Sequence, residues 1–473
     1  MEKIKSGKWA FVVLGIILLV SLGLHVIRIS YPDRPVFDEA HFATYAADYV
    51  KDQVFFDIHP PLGKLIYASV IPLALRFEND VSLGNTTFVR YTHSPTGTVY
   101  YATGLPYGNF PYIPLRLIAV FFGLALTAAF YFFLRAIGVG EVGALLGAFF
   151  ATFENALLLE TKLILMNGMY LAFGFAALAA WFGTWPKGYD RRAVLAGFLF
   201  ALSLGVKLIG IIFIGPILLS FFIPDQVPDH RNRTAGNFKK FIVTAIIVFV
   251  AVSFLNFLFF SPSRILSFSK SIGIKFPAPT NLRATDFLAY AMTTIVPWTG
   301  YLVGGPQAQG SPWYDWPLMR GVMTYYYAPG NAGNLVLRGN PAVWYASTAA
   351  VIVGIILLLW KVLSSRGAEG SFLRMTKEGI LRVVQNDRII LILFAGYFFS
   401  LLPFFTFVRR GTFLYHYFPA YLFAIGLLVY FISRWLGLNT VESISKKQWF
   451  WLAEIAALII IGFFYAAPLT YGF

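Results

Sequence analysis

Long apolar stretches alternate with short polar connections along most of the chain. A transmembrane helix needs about 20 mainly apolar residues to cross the hydrocarbon core of a bilayer. In lipid, the backbone groups of such a segment must be satisfied within the helix itself. The pattern therefore predicts an all-α polytopic membrane protein with eleven transmembrane helices, at residues 9–29, 113–134, 140–158, 163–184, 192–206, 207–223, 241–260, 341–361, 389–407, 413–433 and 448–467.

Two apolar stretches need a separate interpretation. Residues 191–223 are too long for one span without strong tilt, and Lys207 in their middle predicts two spans that meet there. Residues 61–77 are short for a span and are bracketed by Lys64 and Arg76. We therefore expect this second stretch to form a helix that lies in the membrane interface.

The basic residues indicate which connections share a side of the membrane. The first apolar run is long and has no small-residue cleavage site, so we expect an uncleaved span with a cytoplasmic N-terminus. By the positive-inside rule, the connections rich in Lys and Arg then fall in the cytoplasm; they are 185–191, 224–240, 362–388 and 434–447. This topology predicts one membrane domain over 1–473, with two long extracytoplasmic loops at 30–112 and 261–340 and an extracytoplasmic C-terminus.

Composition narrows the function classes. Of the 473 residues, 58% are hydrophobic and 12% are charged, and none is cysteine, which excludes disulfides and thiolate metal sites. The net charge of +15 fits basic cytoplasmic loops that face anionic lipid. We expect no nucleic-acid binding, because no basic and aromatic platform stands apart from the spans.

The densest polar cluster lies in the first long loop, within FDEAHFATYAADYVKDQVFFDIHPPLGKL at residues 37–65. A carboxylate at the boundary between water and lipid can act as a general base on a hydroxyl group; the alternative is a solvated loop acid. The spacing of the acids and histidines matches no helical metal-ligand pair, so we expect no metal. The cluster comprises Asp38, Glu39, His41, Asp57 and His59.

Basic and acidic residues also gather at the predicted outer ends of the spans. Each basic residue alone could extend along the membrane surface, but together they could hold a phosphate, either of a lipid headgroup or of a polyprenyl-phosphate substrate. Acids at this depth are costly and often functional. The basic residues are Lys64, Arg116, Lys162, Lys207, Arg409 and Arg410, and the acids are Glu154 and Glu160, with Asn167 nearby. No nucleotide-binding motif is present, so a sugar donor would have to be carried by lipid.

Four blocks carry a family resemblance: the segment at 37–65, SLGVKLIGIIF at 203–213, LRGNPAVWY at 337–345 after SPWYDWPL, and RRGTFLYHYFPAYLFAI at 409–425. In this order they resemble the dolichyl-phosphate-mannose–protein mannosyltransferases, or protein O-mannosyltransferases. The resemblance implies a GT-C glycosyltransferase fold with about eleven spans. It also implies a cofactor-independent, inverting transfer of mannose from a polyprenyl-phosphate carrier to Ser/Thr hydroxyls of exported proteins.

The resemblance also implies roles for individual residues. Asp38 would be the general base on the acceptor hydroxyl. Glu39 would help to orient or bind the substrates. The donor phosphate would be bound by Lys64, Arg116, Lys207, Arg409 and Arg410. Further matches to the family's motifs are His59, Pro60, Pro61, Gly63, Tyr415 and His416.

The chain also departs from the family pattern. The family's DNA…SRxxLLD block reads ENALLLETKLILMNG here, so that Glu154 replaces its first acid, Lys162 its arginine and Asn167 its last acid. The second long loop is too short for the β-trefoil insertion of the eukaryotic enzymes, which suggests a bacterial or archaeal plasma-membrane enzyme. Two alternatives stay open. One is a related GT-C transferase that moves a lipid-linked sugar to a glycolipid or cell-wall glycan. The other is a transporter of such lipids, although transporters usually place their polar residues at the bilayer midplane.

Overall fold

The computed structural model describes residues 7–55, 57–77, 83, 88–94, 97–102, 104–183, 189–222, 230–255, 310–331, 333–366, 388–406 and 411–473. Helices dominate these residues. In chain order, the first part contains α1 (Lys8–Val26), α2 (Glu39–Val50), α3 (Leu62–Phe77), the antiparallel hairpin β1 (Val89–Ser94) and β2 (Gly97–Ala102), α4 (Tyr112–Ile137), α5 (Glu141–Thr152), α6 (Asn155–Lys162), α7 (Asn167–Phe182), α8 (Tyr189–Val206), a 3-10 turn (Leu208–Phe213), α9 (Ile214–Leu219) and α10 (His230–Phe254).

The second part begins with an antiparallel hairpin and ends with four long helices. Its elements are a 3-10 turn (Trp316–Leu318), β3 (Met323–Tyr326), a turn (Pro329–Asn331), β4 (Leu335–Leu337), α11 (Pro341–Arg366), α12 (Arg388–Thr406), a 3-10 turn (Leu414–Tyr417), α13 (Phe418–Leu436), a turn (Val441–Ser443) and α14 (Lys446–Tyr471).

Helices overlap all eleven apolar stretches that the sequence predicts as spans. Within the described ranges, seven helices are long and apolar enough to cross a membrane, namely α1, α4, α10, α11, α12, α13 and α14. The number rises to eight if α5 and α6, which meet at a 64° bend, form one broken span. The prediction of a continuous span at 140–158 is therefore wrong in detail. Glu154 ends the straight run, because it takes an extended conformation and its side chain caps α6.

The chain breaks at Lys207 as predicted, while the two membrane spans on either side of the break stay a prediction. Helix α8 ends at Val206, Lys207 has extended backbone angles, and a 3-10 turn followed by α9 continues the chain. Residues 61–77 also form a helix as expected, α3, while its position at a membrane interface stays a prediction. Arg409, Arg410 and most of the loop at 261–340 lie outside the described residues.

One continuous apolar core joins most of the helices. Helix α7 packs between α4 and α8, α8 also packs against α10, and α13 packs against α11 and α12. Helices α2 and α3 pack on each other, and α3 contacts α4 and α8. Large apolar side chains of α1, α10, α11 and α14 remain exposed, as expected of helices that face lipid. The pair α2 and α3 therefore rests on the same helices that carry the buried polar residues described below.

Long-range hydrogen bonds join the connections between helices into two groups, one at each end of the helix bundle. At one end, the Glu141 carboxylate accepts hydrogen bonds from the backbone N–H of Gly7, at 2.9 Å, and of Val441, at 3.3 Å. At the other, Lys162 Nζ donates to the carbonyl of Ile27 at 2.7 Å. There too, Tyr31 donates to the carbonyl of Gly333 at 2.7 Å and Arg28 donates to that of Gly472. These two groups are the ones that the charge pattern assigns to opposite sides of a membrane.

Candidate functional site

Asp38 stands at the entrance to α2, and its side chain does not cap that helix. Its backbone carbonyl accepts from the N–H groups of His41, at 3.0 Å, and Phe42, at 3.1 Å. The side chain is half-buried. The preceding residue, Phe37, has a φ of 49°, which is an outlier for a bulky residue. Its ring stacks on Tyr325 with centroids 4.6 Å apart, so packing in the second loop holds the strained backbone beside Asp38.

Glu39 lies in a completely buried ion pair with Arg116. Arg116 Nε donates to Oε1 at 2.8 Å and Nη2 donates to Oε2 at 2.9 Å. The same carboxylate accepts from the N–H of Ile164 at 2.9 Å and of Val36 at 3.2 Å. Glu39 therefore fastens the stretch before α2 to α4 and to the connection between α6 and α7, which positions its neighbour Asp38.

Arg116 differs from the expectation of a phosphate ligand. Besides Glu39, its guanidinium donates from Nη1 to the carbonyls of Ile29, at 2.8 Å, and Pro32, at 3.0 Å. The side chain is fully buried under the rings of Tyr107 and Tyr112. The structure thus gives Arg116 the task of holding the stretch that leads to Asp38.

A buried polar relay runs beside this stretch. Lys207 Nζ donates to Asn167 Oδ1 at 2.8 Å, and Asn167 Nδ2 donates to Glu160 Oε1. Tyr325 donates its hydroxyl hydrogen to Glu160 Oε2 at 2.6 Å. The Tyr325 ring in turn stacks on Phe37, the residue before Asp38. The relay therefore links Lys207, predicted to bind phosphate, to the surroundings of the predicted base.

The late block folds onto the same place. Tyr415 lies in the 3-10 turn before α13, with its ring centroid 5.7 Å from that of Phe37 and 5.8 Å from Lys207 Nζ. His416 stacks on Tyr415 with centroids 4.3 Å apart, and its Nδ1 is 3.1 Å from the backbone nitrogen of Phe413. Tyr415 is thus close to both Lys207 and the Asp38 stretch, although about 200 residues separate Lys207 from it in the chain.

The HPPLGK segment forms a second buried pair. Lys64 Nζ donates to Asp57 Oδ2 at 2.5 Å and to the carbonyl of His59 at 2.7 Å, and 2% of the Lys64 side chain is exposed. Burial by itself raises the pKa of Asp57, but the charges of Lys64, His59 and His41 outweigh it and hold that pKa below its ordinary value. Lys64 therefore binds the loop before α3 in this structure.

The rest of that segment packs closely. Pro60, Pro61 and Gly63 are buried. A Cβ atom at Gly63 would lie 2.5 Å from Met166 Sδ and 3.2 Å from Val206 Cγ1. Glycine is therefore the residue that lets α3 approach the connection before α7.

Two predicted site residues tie helices together. Glu154 accepts from the backbone N–H of Asn340 at 3.1 Å and from the Tyr421 hydroxyl at 2.6 Å, which joins α6 to the start of α11 and to α13. Lys162 donates to the Ile27 carbonyl, and its Nζ lies 4.5 Å from the ring centroid of Tyr471. The contacts of both side chains support the scaffold around the relay.

Tyr325, Phe37 and Phe42 belong to the site although the sequence did not single them out. Tyr325 sits in an aromatic-rich stretch that also fits a membrane interface, and its contacts with Glu160 and Phe37 place it in the site. Phe42 was hidden among the apolar residues of α2; its ring centroid lies 5.9 Å from Lys207 Nζ. Among the described residues, no group of three or more His, Asp or Glu side chains could hold a metal ion.

Two protein-family models match the chain. The model described as dolichyl-phosphate-mannose-protein mannosyltransferase matches residues 15–268, and the C-terminal four TMM region of protein-O-mannosyltransferase matches residues 295–473.

Curated relatives carry the same description. The chain is 27% identical over 206 residues to dolichyl-phosphate-mannose–protein mannosyltransferase 1 of Candida albicans, which covers 42% of this chain and 21% of that protein. It is 30% identical over 156 residues to protein O-mannosyltransferase 1 of Drosophila melanogaster, which covers 33% of this chain and 16% of that protein. The chain thus matches about a fifth or less of the length of these relatives.

Solved structures share the fold. The Saccharomyces cerevisiae protein O-mannosyltransferase Pmt1–Pmt2 complex bound to the sugar donor superposes with a TM-score of 0.76 at 15% identity, over 99% of this chain and 91% of that one. The oligosaccharyltransferase AglB of Archaeoglobus fulgidus gives a TM-score of 0.55 at 12% identity, over 98% and 56%. The expected GT-C fold is confirmed.

Proposed function

The chain belongs to the dolichyl-phosphate-mannose–protein mannosyltransferase family, and we propose that it is an inverting glycosyltransferase that moves mannose from a polyprenyl-phosphate carrier to Ser/Thr hydroxyls of exported proteins. The observation that carries this proposal is the position of Asp38. It is a half-buried acid, held by the buried Glu39–Arg116 pair and close to the relay that ends at Lys207. A base and a cation near each other are what a displacement at a sugar phosphate needs.

The reaction is a direct displacement. The acceptor hydroxyl oxygen forms a bond to the anomeric carbon of mannose while the bond from that carbon to the phosphate oxygen breaks. Asp38 takes the hydroxyl proton, and the electron pair of the broken bond leaves on the polyprenyl phosphate. A positioned general base contributes a factor of about 10² to 10⁴ to the rate.

Cationic side chains stabilise the leaving phosphate. Lys207 is the described residue that we assign to it, and Arg409 and Arg410, outside the described residues, are assigned to it by their place in the motif. Lys64 contributes its charge next to Asp57, and Arg116 holds the stretch before Asp38. Tyr415 and His416 provide an aromatic wall beside Lys207.

The membrane fixes where the two substrates meet. The charge pattern supports a cytoplasmic N-terminus and an extracytoplasmic active site. The second long loop, too short for the β-trefoil insertion of the eukaryotic enzymes, supports the plasma membrane of a bacterium or archaeon. The grouping of Arg28, Tyr31 and Lys162 with Gly333 and Gly472 at one end of the bundle supports this arrangement. The carrier's phosphate would lie in the headgroup region, where the exported hydroxyl can reach it.

The test is mannose transfer by purified protein. The wild type, Asp38→Asn and Asp33→Asn are each incubated with polyprenyl-phosphate-mannose and a Ser/Thr-rich peptide. Asp33 is a matched control, because it lies in the same stretch and its side chain is 68% exposed. We expect the wild type and Asp33→Asn to glycosylate the peptide alike and Asp38→Asn to lose a factor of about 10² or more in kcat.

The outcomes separate the alternatives. Equal rates for the wild type and Asp38→Asn would remove Asp38 as the base. A mannosylated lipid or glycan without a peptide product would favour the related GT-C transferase. Binding of the donor without transfer to any acceptor would favour a lipid transporter.

A further inference from the structure

Asn167 is a neutral amide placed between two buried charged side chains. It is 4% exposed, Glu160 is 1% exposed and Lys207 is 6% exposed. Its Nδ2 donates to the Glu160 carboxylate and its Oδ1 accepts from the Lys207 ammonium at 2.8 Å. An unpaired buried charge is costly, so each of these contacts constrains the position of the charged group.

The chemistry of the two neighbours fixes the orientation of the amide. A carboxylate only accepts hydrogen bonds and an ammonium only donates them, so the NH₂ group must face Glu160 and the carbonyl oxygen must face Lys207. A side chain of similar size without this polarity, such as leucine, would leave both contacts unmade. Through its two hydrogen bonds, the Asn167 amide therefore fixes the Lys207 ammonium relative to the Glu160 carboxylate.

Both ends of this relay reach the proposed reaction site. Lys207 Nζ lies 5.9 Å from the ring centroid of Phe42 and 5.8 Å from that of Tyr415. At the other end, Tyr325 donates to Glu160, and the Tyr325 ring stacks on Phe37, which directly precedes Asp38.

We propose that Asn167 and Glu160 are positioning residues: their hydrogen-bonded relay places the Lys207 ammonium against the phosphate of the lipid-linked donor. This proposal rests on the proposed function for the identity of the donor. It adds that the geometry of the relay, rather than charge at position 167, determines how well the donor phosphate is bound.

The experiment compares four variants with the wild type. Asn167→Leu removes both contacts, and Glu160→Gln removes the negative charge. The double variant Glu160→Gln/Asn167→Asp restores the relay with the negative charge moved from position 160 to position 167. The amide introduced at position 160 can donate to the carboxylate introduced at position 167. That carboxylate can in turn accept from Lys207. Asn155→Asp is the control. Asn155 is another buried asparagine, at the start of α6, but its amide donates to the Phe463 carbonyl at 3.2 Å and to Thr470 at 3.0 Å.

Donor affinity is the first readout. We expect Asn167→Leu to raise both the Kd for polyprenyl-phosphate-mannose and the donor KM about tenfold or more, the size of one lost hydrogen bond to a charged group. The double variant should return both values to within about threefold of the wild type. The folded fraction of Asn155→Asp should keep the wild-type Kd and KM even if its melting temperature falls. A merely structural role would lower the amount of folded protein without this pattern.

The second readout is the same pair of values in Glu160→Gln, which separates charge from geometry. The amide oxygen introduced at position 160 can accept from Asn167, and its N–H can donate to the Tyr325 hydroxyl, so the contacts can be kept while the negative charge is removed. We expect the Kd and the donor KM of Glu160→Gln to stay within about threefold of the wild type. Values as high as those of Asn167→Leu would overturn the geometric role of the relay.

Failure of the relay can be told from failure of the proposed function. If the wild type binds the donor but mannosylates no peptide, the proposed function fails and the Kd values still test the relay. An Asn167→Leu variant with the wild-type Kd would overturn the relay, as would a double variant that binds as weakly as Asn167→Leu. A wild type that does not bind the donor would overturn both.

Discussion

The Arg116 guanidinium donates a hydrogen bond to each oxygen of the Glu39 carboxylate, at 2.8 and 2.9 Å, and neither side chain is exposed. Glu39 directly follows Asp38 in the chain, and its pair with Arg116 joins α2 to α4. Desolvation of two charges offsets much of their attraction, but removal of one partner leaves the other charge buried and uncompensated. The contact therefore matters most when it is broken on one side.

Glu39→Gln should destabilise the protein by about 3–5 kcal/mol, because it strands the Arg116 charge in the core. Thermal unfolding in detergent checks this. Asp33→Asn is the control: it breaks the exposed pair with Arg34, whose side chain is 37% exposed, and should cost about 0–1 kcal/mol. Equal losses for the two variants would contradict the structural role of the buried pair.

The Asp57–Lys64 pair should make stability depend on acidic pH. The pKa of Asp57 is lower in the folded chain than in the unfolded one, because the positive charges of Lys64, His59 and His41 outweigh the effect of burial. Its contribution is therefore complete above the ordinary carboxyl pKa of about 4 and is lost as the pH falls through the lower, folded value.

Asp57→Asn should accordingly cost about 3–5 kcal/mol near neutral pH, and the difference from the wild type should shrink below about pH 4. Denaturant titrations at a series of pH values measure it. Asp315→Asn serves for comparison, since Asp315 meets Arg320 in a looser pair at 3.9 Å with an exposed arginine. A difference for Asp57→Asn that stays constant down to about pH 3 would refute the assignment.

Gly63→Ala should destabilise the protein by about 1–3 kcal/mol, because the added methyl group meets Met166 and Val206 in a filled space. The same substitution at Gly236, in α10, meets no atom within 4 Å and should be neutral or slightly stabilising. Melting temperatures of the two variants give the comparison. If Gly63→Ala were as stable as Gly236→Ala, the close approach of α3 would not constrain this position.

The helices could be predicted from the sequence because their signal is local. Each needs a run of apolar side chains about as long as the bilayer core is thick, and the charge of Lys207 was enough to locate the break in one long run. The bend between α5 and α6 was missed. It depends on Glu154, whose partners Asn340 and Tyr421 lie far along the chain.

Candidate site residues were recognised as residue types, but their partners were not. Asp38, Lys207 and Tyr415 stood in motifs, yet nothing local indicated that Arg116 would bind Glu39 or that Tyr325 would bind Glu160. These contacts join positions 77 and 165 residues apart. Sequence periodicity carries no information on such pairs, because they depend on which helices pack together.

By itself, the sequence determined that this chain forms apolar helices and that its motif residues gather in a few short blocks. Which connections share a side of the membrane stays a prediction from the charge pattern. Only the tertiary structure decided which charges are used to hold the scaffold and which lie beside Asp38. The physical reason is burial. Once helix packing excludes water, every charge needs a partner, and the nearest available group across the bundle supplies it.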